Sequence, residues 1–74
     1  MTVRVRLIGP FIPRFGFSEK DLEVPSPCTA ADLQLLLGLQ GVENLMTLQG
    51  RGLKPQDALS DGDRVVVAPI FSGG

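Results

Sequence analysis

The residues best suited to chemistry stand at the end of the chain, where Ile70-Phe71-Ser72-Gly73-Gly74 follows the last segment with a regular pattern. Glycine has no Cβ and reaches backbone angles that other residues avoid. A Gly73-Gly74 end can therefore enter a narrow site on another protein and present its carboxylate there. A carboxylate is a poor electrophile until one oxygen becomes a leaving group, so the tail reads as a substrate for a partner rather than as a catalyst. Phe71 points the same way: a large aromatic with nothing left to pack on is costly unless a partner covers it, the alternative being that it folds back on its own sheet. Ile70 and Ser72 flank it and complete the expected partner-binding stretch.

Elsewhere the chain is poor in reactive groups. Its only cysteine, Cys28, lies between Pro27 and Thr29, and no histidine exists to activate it, so it reads as structural rather than as a relay. One cysteine makes no internal disulfide and holds no iron–sulfur cluster. The lack of histidine removes the commonest general base and zinc ligand. Glu19, Asp21 and Glu23 share one face of an extended segment and are read as a solvated face. We therefore expect no active site, bound cofactor or metal inside this domain, which would act as a cosubstrate and not as an enzyme.

With 74 residues there is room for one modest core. An apolar share of 43% against 20% charged is enough to drive collapse without a metal or disulfide staple. Seven basic and eight acidic residues leave a net charge of -1, with no run of Lys or Arg. That pattern argues against binding to nucleic acid. The start of the chain lacks the apolar core of a signal peptide, and no apolar run could span a bilayer, so the protein is expected in the cytoplasm and not in a membrane.

The elements that must position the tail follow from periodicity. Val3, Val5 and Leu7 alternate with Thr2, Arg4 and Arg6, which predicts a half-buried strand. Gly9, Pro10, Pro13 and Gly16 punctuate a stretch holding Phe11, Phe15 and Phe17, predicting a loop with apolar anchors and no regular element. Alternation returns from Ser18 to Val24, as a second strand in a hairpin with the first. Thr29 and Asp32 have the spacing of a helix cap. The helix that follows should bury Ala30, Leu33, Leu36 and Leu37 and stop near Gly38 and Gly41, with Leu35 and Leu39 off that stripe, read as peripheral core in preference to exposed apolar surface for a partner. Leu45 to Gln49 predicts a third strand, Gly50-Arg51-Gly52 a tight turn into a brief fourth, and Arg64 to Ala68 a central strand covered on both faces. One amphipathic helix on one face of a mixed sheet of four to five strands hides these apolar faces together. The expected class is α+β, with the ubiquitin-like β-grasp order over residues 1–69 and a tail over 70–74.

With that order in place, Leu59-Ser60-Asp61-Gly62-Asp63-Arg64-Val65-Val66-Val67, then Pro69 and Ser72-Gly73-Gly74, resembles the small ubiquitin-like sulfur carriers of molybdopterin and thiamine biosynthesis. Gln49-Gly50-Arg51, Leu22-Glu23-Val24-Pro25 and Thr29-Ala30-Ala31-Asp32-Leu33 extend the resemblance over most of the chain. It departs from the family pattern in the proline-rich stretch from Gly9 to Pro13 and in the short link from Gly41 to Asn44. The resemblance implies that an E1-like adenylating enzyme joins Gly74 to AMP at the expense of ATP. A sulfur donor such as a cysteine desulfurase then supplies sulfur, leaving a thiocarboxylate on Gly74. The acceptor would be the molybdopterin synthase large subunit, favoured because Pro69 and Ser72-Gly73-Gly74 look most like that subfamily's tail, or thiazole synthase in the thiamine route. A ubiquitin-like modifier forming isopeptide bonds through Gly74 uses the same adenylate and is the competing reading. A purely structural module with an inert tail is the third.

Overall fold

Strict alternation at the start of the chain folds as expected: Thr2–Leu7 is strand β1, with Val3 and Val5 wholly buried and Leu7 nearly so. The computed structural model describes residues 1–70. Helix α1 (Phe11–Phe15), strand β2 (Glu19–Glu23), helix α2 (Ala30–Leu36) and strands β3 (Asn44–Leu48), β4 (Arg51–Gly52) and β5 (Arg64–Pro69) follow. The strands form one mixed sheet in the order β2-β1-β5-β3-β4. β1 is antiparallel to β2 and parallel to β5, while β3 is antiparallel to both β4 and β5. This is the expected α+β β-grasp, with β5 at the centre of the sheet.

Two aspartates explain why β5 lies beside β1. In the turn that leads into β5, the Asp63 carboxylate accepts from the Ser60 amide at 2.8 Å, and Gly62 takes a positive φ of 86°. The Asp61 carboxylate accepts from the Thr2 amide at 2.7 Å, and the Gly62 amide donates to the Thr2 carbonyl at 2.8 Å. The turn thus docks onto the first residue of β1 and delivers the next strand in parallel register, Val65 beside Val5 and Val67 beside Leu7.

Helix α2 starts where its cap predicts. The Thr29 hydroxyl accepts from the Asp32 amide at 3.2 Å, and the Asp32 carboxylate accepts from the Thr29 amide at 3.0 Å. Its other end corrects the sequence reading. Leu36 is 56% exposed and Leu35 54% exposed, whereas Leu39 is buried. Over seven helical residues the inward stripe is Ala30, Leu33 and then Leu37, which puts Leu36 on the shoulder away from the sheet. Leu39 enters the core because the chain reverses after the helix. Gly38 has φ 72°, its amide donates to the Leu35 carbonyl at 3.1 Å, and the Leu39 amide donates to the Gln34 carbonyl at 2.9 Å. That pair of bonds around a left-handed glycine is a Schellman cap, whose second residue beyond the helix folds back onto the apolar face.

Three smaller expectations are also revised. The stretch from Gly9 to Phe17 is not irregular throughout, because α1 forms within it and buries Phe11, with Phe15 edge-on at 5.7 Å between ring centroids. Pro13 does not prevent this, since it occupies the first turn, where amides have no helical partner. The tight turn between β3 and β4 is Gln49-Gly50, both at positive φ (53° and 78°), which is primed-turn geometry, and Arg51 already belongs to β4. Strand β5 is central but covered on one face: Val65 and Val67 are fully buried, while Val66, on the opposite face, is only half-buried.

The core joins Val3, Val5, Leu7, Val65, Val67 and Met46 of the sheet to Ala30, Leu33 and Leu39 of the helix segment. Among the described residues no polar or charged side chain is buried. On the open face of the sheet Arg4 Nε donates to Asp21 Oδ1 at 2.8 Å, with Glu19 3.7 Å from the same guanidinium, and the Thr2 hydroxyl donates to Glu23. The acidic trio is solvated, as expected, and paired across strands. The Arg4 hydrogen bond lowers the Asp21 carboxyl below its ordinary value. A lowered carboxyl contributes stability above the ordinary carboxylate pKa and loses it as pH falls through the lowered value. Exposed as it is, the pair sets the β1–β2 register more than it stabilises.

Candidate functional site

The expected site is where the chain leaves β5. Of the residues assigned to it, Ile70 is described and is 49% exposed. Phe71, Ser72, Gly73 and Gly74 lie outside the described residues. What the fold does establish is the surface from which that segment departs.

Three elements frame the exit. β5 runs beside β3 up to Pro69, which lies opposite Asn44, and Ala68 lies opposite Leu45. On the other flank β1 ends level with it, and the Ile8 amide donates to the Val67 carbonyl at 3.1 Å. Behind the exit, a groove of about 700 Å3 runs from Ile70 past Val42 and Leu39 to Leu35 on α2. The wall of this groove is held by side chains: Gln34 Nε2 donates to Asn44 Oδ1 at 3.0 Å, and Asn44 Nδ2 donates to the Val42 carbonyl at 2.8 Å. The short link between α2 and β3 is thereby pinned beside the exit.

Large apolar side chains remain exposed in this region. Ile8 (38%) and Leu45 (48%) flank the end of β5, Ile8 through its amide on Val67 and Leu45 opposite Ala68, while Leu35 lines the groove that Ile70 also lines and Ile12 (37%) is exposed in α1. Sequence reading missed Ile8, Ile12 and Leu45. Leu45 carried a usable signal, because in a strand that buries Met46 its neighbour must face the other way. Ile8 carried the same signal, following buried Leu7 in the alternation of β1, whereas Ile12 carried none, being an apolar residue in a stretch read as an anchored loop.

Cys28 sits apart from the exit, buried at 1% exposure, with its thiol directed at the Thr29 carbonyl at 3.6 Å. Burial, and then the negative charge of Asp32, pushes its pKa up. It is a protonated core thiol at neutral pH, not a thiolate nucleophile. Cys28→Ser is expected to cost about 1–3 kcal/mol of stability, since a hydroxyl replaces a weakly polar thiol in the core. Chemistry at the tail of the folded variant should be unchanged. Denaturant unfolding combined with a transfer assay would check both, and loss of transfer in a fully folded variant would restore a catalytic role for the thiol.

Among the described residues there is no group of His, Cys, Asp or Glu that could hold a metal ion, and no helix long and apolar enough to cross a membrane. No known family model and no curated protein sequence matches the chain. Solved structures do. SAMP1 from Haloferax volcanii superposes with a TM-score of 0.81 at 20% identity, over 100% of both chains. A protein assigned as molybdopterin converting factor subunit 1 from Pyrococcus furiosus gives 0.86 at 21% identity, over 96% of this chain and 99% of that one. A chain from the complex of subunits 1 and 2 of the molybdopterin-converting factor from Helicobacter pylori gives 0.67 at 24% identity, over 100% of both. At these identities the likeness is one of fold: this chain has the ubiquitin-like β-grasp fold, the plan also seen in SAMP1 and in the molybdopterin converting factor structures.

Proposed function

We propose that the chain is a sulfur carrier whose reacting group is the carboxylate of Gly74. The observation that carries the reading is the exit of β5 at Ile70 past a collar of exposed apolar side chains on its two flanks, Ile8 and Leu45. Such a collar at the root of a Gly-Gly tail suits a partner that grips the domain while the tail enters its active site. The adenylating enzyme transfers AMP from ATP to the Gly74 carboxylate and releases pyrophosphate. The terminal sulfur of a persulfide on the donor attacks the activated carbonyl and AMP leaves. A thiol then cleaves the sulfur–sulfur bond and is oxidised to a disulfide, leaving the thiocarboxylate. The domain contributes recognition and presentation, and the chemistry of activation belongs to the partner.

Within this reading the molybdopterin route is favoured. The Helicobacter pylori neighbour comes from a complex of subunits 1 and 2 of a molybdopterin-converting factor, and the corresponding acceptor here would be a molybdopterin synthase large subunit. Thiazole synthase is the acceptor in the thiamine alternative. The Haloferax volcanii structures, one of them of small archaeal modifier protein 1, favour a second reading, attachment of Gly74 to lysines of other proteins. Denaturing electrophoresis of cell extract separates the two, since only a modifier gives a ladder of larger species.

The collar is tested by Leu45→Asp. Leu45 is about half exposed on the helix-free face, so the free domain should keep its melting temperature. Binding to the adenylating enzyme or to the acceptor should weaken by about tenfold or more, because an unpaired carboxylate would be buried at the interface. Unchanged affinity for both partners, measured calorimetrically, would remove the collar from the account.

A further inference from the structure

The outer side of α2 carries Leu36 and Leu35, the most exposed large apolar residues among those described. Leu35 stands between two grooves. One runs toward Leu39, Val42 and Ile70, and the other is lined by Pro25, Pro27, Cys28 and Leu36. The core does not require this ridge, because the inward stripe of the helix is Ala30, Leu33 and Leu37, and the Schellman cap supplies Leu39. A helix of this length is ordinarily polar on its outer face, and two adjacent leucines flanked by prolines form a contiguous apolar surface instead.

The charged side chains that line its two grooves have one sign, while the N-terminal ammonium and Lys54 stand nearby without lining either. Among the described residues Glu43 is the only charged one lining the first groove and Asp32 the only one lining the second, and no Lys or Arg occurs anywhere between residues 21 and 50. Arg4, Arg6 and Arg64 lie on the opposite, helix-free face of the sheet, as strand alternation and the β1–β5 register dictate. We propose that the Leu35–Leu36 ridge of α2 is a docking surface for a protein segment that presents apolar side chains rimmed by Lys or Arg. A second copy of this chain is a poor occupant, because its own α2 side would set Asp32 and Glu43 against their counterparts. The surface is independent of the reaction at Gly74 and stands or falls separately from it.

The test uses two synthetic amphipathic helical peptides with the same leucine face, one flanked by lysines and the other by glutamates. Each is titrated into the isotope-labelled full chain and followed by amide chemical shifts. The lysine peptide should shift the amides of residues 31–44 saturably and bind at least about tenfold more tightly than the glutamate peptide, the gap closing as salt screens the rim. Glu43→Gln should weaken it further at low salt. Leu35→Gln with Leu36→Gln should abolish the shifts at an unchanged melting temperature, since both residues are more than half exposed. Equal affinity for the two peptides would overturn the proposal, as would shifts spread over the sheet. So would concentration-dependent broadening of the free chain centred on α2, which would make a second copy the occupant.

Discussion

Leu33→Ala is expected to destabilise the domain by about 2–5 kcal/mol, the range for a large-to-small change at a site with no room to relax. Leu33 is fully buried between the helix and the sheet. Net stabilities of small domains are only roughly 5–15 kcal/mol, so this one substitution should consume much of the total. Leu36→Ala, three residues on and chemically identical, should cost about 1 kcal/mol or less, because most of its side chain is already in water. Urea midpoints of the two variants check the contrast directly. If Leu36 proved the sensitive position, α2 would be rotated from the orientation described, and the apolar ridge on its outer side would not exist.

That contrast also marks where sequence reading works and where it stops. The face of β1 was legible because a period of two leaves no ambiguity: Val3, Val5 and Leu7 are buried as alternation demands, whereas the run Val65-Val66-Val67 read as covered on both faces and only Val65 and Val67 are fully buried. The helix start was legible because Thr29 and Asp32 form a cap that depends on four consecutive residues. The buried stripe was read only in part, since with four leucines among residues 33–37 any rotation of a two-turn helix finds an apolar face. Tertiary context chose among them, through Gly38 and the reversal that buries Leu39. Helix α1 was missed for a related reason. Two prolines and two glycines in residues 9–16 argue for a loop, yet Pro13 falls in the one turn of a helix that tolerates it and Gly16 provides the left-handed stop, with φ 84°. The tail motif rests on sequence alone, and the surface around its root was not legible, because Ile8 and Leu45 come to flank the end of β5 only once the sheet order brings β1, β5 and β3 together.

The second large effect concerns the tail itself. If Gly74 carries the reacting carboxylate, adding one residue after it moves that carboxylate to a different atom and fills a site built for a chain end without Cβ. A bulky residue in place of Gly73 obstructs the same passage. Neither change touches Leu33, Val65 or any other member of the core, so stability and reactivity should separate completely. The most direct measurement is intact-protein mass spectrometry after incubation with ATP, the cognate adenylating enzyme and a sulfide source. The chain ending at Gly74 should gain the mass of one sulfur exchanged for one oxygen, while a chain extended beyond Gly74, of equal thermal stability, should stay unmodified. Equal modification of both chains, or of neither, would contradict a C-terminal carrier mechanism.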